Sequence, residues 1–97
     1  MFLQLKYGYQ LSNYFNQGFI MQKELLNLIQ QALEIDYDIN LSTKISDIEE
    51  WDSLGHLSVL SALSNSSNGE SDNIDLTSIN EVKDIFELLN KNNILLK

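Results

Sequence analysis

The stretch Trp51-Asp52-Ser53-Leu54-Gly55-His56-Leu57 gathers the side chains of this chain best placed to take part in chemistry. It follows a long polar loop and opens a helical pattern, which sets an acid and a hydroxyl at the mouth of a helix. The first N–H groups of a helix lack internal acceptors and the aligned peptide dipoles leave partial positive charge there. A phosphodiester on Ser53 would therefore be stabilised by about 0.3–1 kcal/mol. Asp52 adds a carboxylate that could help a modifying enzyme position a divalent metal or polarise the serine. Asp and Ser are also favoured N-caps, and capping alone would account for these letters.

Composition removes most other chemistry. The chain has no cysteine and one histidine, so a disulfide framework or thiolate metal site is excluded and few acid–base constellations remain. Its 97 residues fit one small domain that buries roughly 60–65% of its unfolded surface. No apolar run approaches the ~18–20 residues that span a bilayer, and the first residues lack a signal-peptide pattern, so a cytoplasmic location and no membrane partner are expected. Six Lys against fourteen acids leave a charge of −8, which opposes nucleic acid and favours a basic protein partner.

The charge is unevenly spread. Residues 1–20 carry one charged side chain, Lys6, and six of the eight Phe and Tyr residues, Phe2, Tyr7, Tyr9, Tyr14, Phe15 and Phe19. Residues 1–20 are therefore read as an N-terminal extension and 21–97 as the domain proper. Met21 could be the functional start. The extension could equally be a docking segment, or a strand or helix folded onto the body.

Three segments must position the motif. Leu25, Ile29, Ala32 and Leu33 have helical spacing within 22–34. Leu54, Leu57, Leu60 and Leu63 recur every third residue, with Val59 and Ala62 beside them, and predict a helix over about 53–65. Val82, Ile85, Phe86 and Leu89 predict a last helix over about 80–91, with Ser78 and Glu81 at capping-box spacing before it. The eighteen or so residues between the first two helices lack helical pattern, but Ile39, Leu41, Ile45, Ile48 and Trp51 can pin them across a bundle. Residues 64–75 read as a Ser/Asn-rich surface loop around Gly69, and Leu76 to Ile79 as one short helical turn. With no alternating strand pattern, the domain reads as all-α.

From these residues the chain resembles the acyl carrier protein family. Asp52-Ser53-Leu54 matches the family's attachment motif, and the order of elements is colinear over roughly residues 21–97. Ile79 and Val82 follow Ser53 by twenty-six and twenty-nine residues, where the family has an isoleucine and a valine. The resemblance implies a small four-helix bundle: three longer helices, one short helix and a long loop between helices one and two. It implies that Ser53 takes a 4′-phosphopantetheine arm from coenzyme A, that Asp52 is the motif acid and that Leu54 anchors the second helix in the core. His56, about a turn beyond, could touch the phosphate or be a solvated first-turn residue. The implied protein is a monomer and not an enzyme. A phosphopantetheinyl transferase installs the arm, whose thiol carries acyl or aminoacyl groups as thioesters between acyl-loading and acyl-transfer enzymes.

Two departures qualify what the resemblance implies. Fatty-acid carriers of the family usually display acids along helix two, whereas residues 53–69 of this chain contain none. Acids lie instead at Asp47, Glu49, Glu50 and Asp52, and at Glu70, Asp72 and Asp75, so partners are expected near the loop ends. Where the family has large apolar residues, this chain has Ser67 and Ser71. Burying unpartnered hydroxyls costs about 1–3 kcal/mol each, so residues 64–75 are expected to bulge into solvent and the cargo to be short. A different reading is an acidic helical protein-interaction module in which Ser53 is only a cap. A hydrolase using Ser53 with His56 as base would lack an orienting third group.

Overall fold

The computed structural model describes residues 21–96, so expectations for residues 1–20 lie outside the described residues. The first helix, α1, is seen from 21 to 33 and buries Met21, Leu25, Ile29 and Leu33, one per turn. Ala32 lies at the edge of this stripe, half-buried. Glu34 ends the helix in the left-handed region, with φ 56°. The N–H of Ile35 then reaches the Gln30 carbonyl at 3.0 Å, satisfying an end carbonyl that the helix leaves free.

The long loop is held by its anchors and by backbone pairing. Ile39 and Ile48 are buried, while Leu41 and Trp51 pack half-buried against the core. Three bonds tie the loop to the approach of the last helix: Ile45 N–H to Asn80 O at 2.8 Å, Val82 N–H to Thr43 O at 3.0 Å and Lys83 N–H to Leu41 O at 2.8 Å. Lys44 and Glu81 form an isolated antiparallel bridge there, and Ile45–Asp47 makes one 3-10 turn. A loop whose polar backbone is matched in this way needs no regular element to stay in place.

The second helix, α2, runs Ser53–Ser66 and buries Gly55, Val59 and Leu63. This corrects the expected phase. The every-third-residue stripe is not the core face, for Leu54 and Leu57 are 75% and 60% exposed. Leu54 therefore does not anchor the helix. An i, i+4, i+8 row holds one helix face, whereas three-residue steps drift around the cylinder.

The expected bulge at 64–75 is also corrected. Ser67 and Ser71 are buried, at 2% and 6% exposure, and the Ser67 hydroxyl is partnered: its Oγ accepts from Ser71 N–H at 3.0 Å and donates to Ser64 O at 3.4 Å. Asn68 and Gly69, with φ of 55° and 83°, turn the chain so that Glu70–Asn73 forms a 3-10 turn. A 3-10 helical turn thus falls at 70–73, while the expected place at 76–79 holds a non-helical turn at Thr77 and Ser78. The last helix, α3, spans Val82–Lys91 and buries Val82, Ile85 and Leu89. Its cap is Glu81, not Ser78; Asp84 reaches back to accept from the N–H groups of Asn80 at 2.8 Å and Glu81 at 3.0 Å.

The described residues are thus all-helical, with three α-helices and no strand, closed around one core. Each fully buried Leu, Ile or Val contributes about 1.5–3 kcal/mol relative to exposure. No described helix is long and apolar enough to cross a membrane.

Candidate functional site

The mouth of α2 is fixed by Asp52, Gly55 and Trp51. Asp52 is the N-cap: its backbone is extended and its Oδ1 accepts from Gly55 N–H at 2.8 Å. Capping thus falls to Asp52, and Ser53, the first helical residue, keeps its hydroxyl for other use. The Ser53 side chain is solvent-exposed. The N–H groups of Ser53 and Leu54 have no acceptor within the helix, so the end retains the partial positive charge that suits an anion.

Gly55 is required by close approach. A Cβ at this position would meet the Glu50 backbone carbonyl and would stand 2.8 Å from Leu33 Cδ2. The glycine lets the start of α2 press against both the loop and the end of α1. A glycine inside a helical pattern is the signal that could have pointed to this contact.

His56 is not a freely solvated first-turn residue. It is half-buried, and its Nδ1 accepts from the Trp51 indole N–H at 3.2 Å, with the rings tilted by 45°. This bond places the proton of a neutral imidazole on Nε2. Among the described residues no hydrogen bond joins His56 to Ser53, so the pair lacks the contact a nucleophile and base need.

One further contact steadies the loop before the motif and was not foreseen. Tyr37 Oη donates to Glu50 Oε1 at 2.6 Å, while Gln30 Nε2 donates to the Tyr37 carbonyl at 2.9 Å. The hydrogen bond to Glu50, aided by desolvation and nearby carboxylates, pushes the Tyr37 pKa up to about 12. No stripe or motif in the sequence joins residues thirteen apart in this way.

Ser53 opens onto a shallow groove of about 740 Å3, whose walls include Trp51, His56, Leu57, Leu76 and Ile79. Asp47, Glu49, Glu50 and Asp52 are exposed on the loop side, and the exposed face of α2 carries Leu54, Leu57, Ser58 and Ser61 without a charge. Among the described residues, no group of three or more His, Cys, Asp or Glu side chains is arranged to hold a metal ion.

Compared with known protein families, with curated proteins and with solved structures, the chain matches none.

Proposed function

We propose that the chain is an acyl carrier protein whose Ser53 bears a 4′-phosphopantetheine arm and presents acyl or aminoacyl groups to partner enzymes. The observation that carries this reading is the division of labour at the mouth of α2: Asp52 caps the helix, leaving an exposed serine hydroxyl at its positive end. The residues fit the group. The hydroxyl would hold it, the free N–H groups of Ser53 and Leu54 would face its phosphate, and Asp52 would lie beside a modifying enzyme's metal. When bound, the arm supplies a thiol that forms thioesters, chemistry that this cysteine-free chain does not have in its own side chains.

In this reading α1, α2 and α3 are the three longer helices of a carrier bundle, and the 3-10 turn Glu70–Asn73 stands where the fourth, short helix belongs. The partners are a phosphopantetheinyl transferase and acyl-loading and acyl-transfer enzymes. The filled core, with Ile29, Val59, Leu63 and Ile85 all at 1% exposure or less, supports a short cargo held outside the bundle.

The exposed pair Leu54 and Leu57 favours a second reading, an acidic helical interaction module without a prosthetic group. The two separate on intact mass after incubation with coenzyme A and a permissive phosphopantetheinyl transferase. A gain of one arm, lost in Ser53→Ala, supports the carrier. No gain under conditions that modify a control carrier refutes it and leaves the module.

A further inference from the structure

We propose that residues 1–20 of this same chain cover the exposed face of α2. The inference goes beyond both functional readings and holds whether or not Ser53 bears an arm. Leu54 and Leu57 are the two most exposed large apolar side chains among the described residues, at 75% and 60%. With the exposed Ser58 and Ser61 they follow one another at three- and four-residue spacing, so they share one helix face.

Charge selects the occupant. Among the described residues α2 is the one α-helix with no Lys, Asp or Glu, whereas α1 carries Lys23 and Glu24 and α3 carries Lys83, Asp84, Glu87 and Lys91. Residues 1–20 match it: Lys6 is their one charge, and they hold Phe2, Tyr7, Tyr9, Tyr14, Phe15 and Phe19. Seating those rings on α1 or α3 would take charged groups out of water, which is costly unless each is paired. On α2 they meet leucine and hydroxyl surface, and apolar area on both sides leaves water.

The connection permits it. Met21 is buried at the start of α1, and Leu33 at the other end of that helix lies against Gly55. The two ends of α1 are about 18 Å apart at ~1.5 Å per residue. Twenty residues span about 30 Å when wound as a helix and about 66 Å when extended, so a segment joined at Met21 reaches the mouth of α2. Two leucines and two serines fall short of the ~800 Å2 per partner of a stable interface between separate molecules. A tethered segment needs less area, because its effective concentration is about millimolar. Held about half of the time, it adds RT ln 2, about 0.4 kcal/mol, to stability, so the test must read proximity and not unfolding. Any partner that engages α2 must first displace it.

The chain has no cysteine, so Ser12→Cys in the full chain gives a single site for a nitroxide label. Amide signal intensities of isotope-labelled protein are compared with the nitroxide oxidised and reduced. The proposal expects a loss of about half or more of the intensity at Leu54, Leu57, Ser58 and Ser61, and little loss at Lys83, Glu87 and Asn90, which are exposed on α3. Adding Leu54→Asp and Leu57→Asp should restore the α2 signals with the far-ultraviolet dichroism unchanged, since neither side chain belongs to the core. Broadening that is even over the domain, that centres on another element, or that persists at α2 in the double variant overturns the proposal. Equal broadening of isotope-labelled chains without nitroxide, when mixed with nitroxide-bearing chains, also overturns it and makes a second copy the occupant.

Discussion

One methyl group at Gly55 tests how the mouth of α2 is assembled. A Cβ there would stand 2.8 Å from Leu33 Cδ2 and 3.1 Å from the Glu50 carbonyl carbon, with that group's oxygen nearer still. Carbon atoms ordinarily rest at about 3.5–4.0 Å. The leucine can rotate aside, but the Glu50 carbonyl belongs to backbone that leads into Trp51, whose own N–H bonds Ile48 O at 3.0 Å. In an exposed helix, Gly→Ala stabilises by about 0.5–1 kcal/mol. Against this stand overpacking, about 1–3 kcal/mol, and disturbance of the Asp52 cap, about 1 kcal/mol. The net expectation for Gly55→Ala is a loss of about 1–3 kcal/mol, each of which lowers Tm by roughly 4–8 °C in a domain of this size. Thermal and urea unfolding of Gly55→Ala, with the exposed-site variant Ser61→Ala as control, measure it. Gly55→Ala unfolding at or above the wild-type temperature would refute the close approach and the placement of α2 built on it.

The phase of α2 is checked by paired truncations: Leu54→Ser and Leu57→Ser should stay within about 0.5 kcal/mol of wild type, while Leu63→Ala should cost about 2–5 kcal/mol in urea unfolding. Equal losses at all three would place the helix face wrongly. Asp52→Ala should cost about 1 kcal/mol and Asp52→Asn much less, since the amide oxygen can still accept from Gly55 N–H; matching losses would contradict the capping role. Because the Tyr37 pKa is raised from 10.0 to about 12, the bond to Glu50 stabilises the fold below pH 10 and is lost as pH climbs through 12. In protein with Tyr7, Tyr9 and Tyr14 changed to Phe, Glu50→Gln should return the Tyr37 absorbance titration toward 10.0. A titration that does not move would argue against the bond.

Local pattern was enough for α1 and α3, because Leu25 with Ile29 and Val82 with Ile85 and Leu89 leave one choice of buried face. It was enough for the loop anchors Ile39 and Ile48 as well, and for an Asp or Ser cap before α2. The face of α2 was not legible. Leucines at 54, 57, 60 and 63 and Val59 surround the helix, and what selects Gly55, Val59 and Leu63 is the tertiary approach of Glu50 and Leu33 to the glycine. Ser67 and Ser71 misled for a related reason: single residue types signal exposure, while the Ser71 N–H to Ser67 Oγ bond that permits burial depends on a left-handed turn at Asn68 and Gly69. At the site, the serine and its acid were visible by type. The Trp51–His56 and Tyr37–Glu50 bonds that steady them arise only once the loop is folded back.

The attachment of the arm is tested most directly by finding the atom that bears it. Trypsin cuts after Lys44 and Lys83 and at no lysine between them, so one peptide, residues 45–83, contains Ser53 together with Ser58 and Ser61. Fragmentation of this peptide, from protein treated with coenzyme A and a permissive transferase, should place a single phosphopantetheine on Ser53. An unmodified peptide, beside a control carrier that is modified, or an arm carried by another hydroxyl would contradict the account.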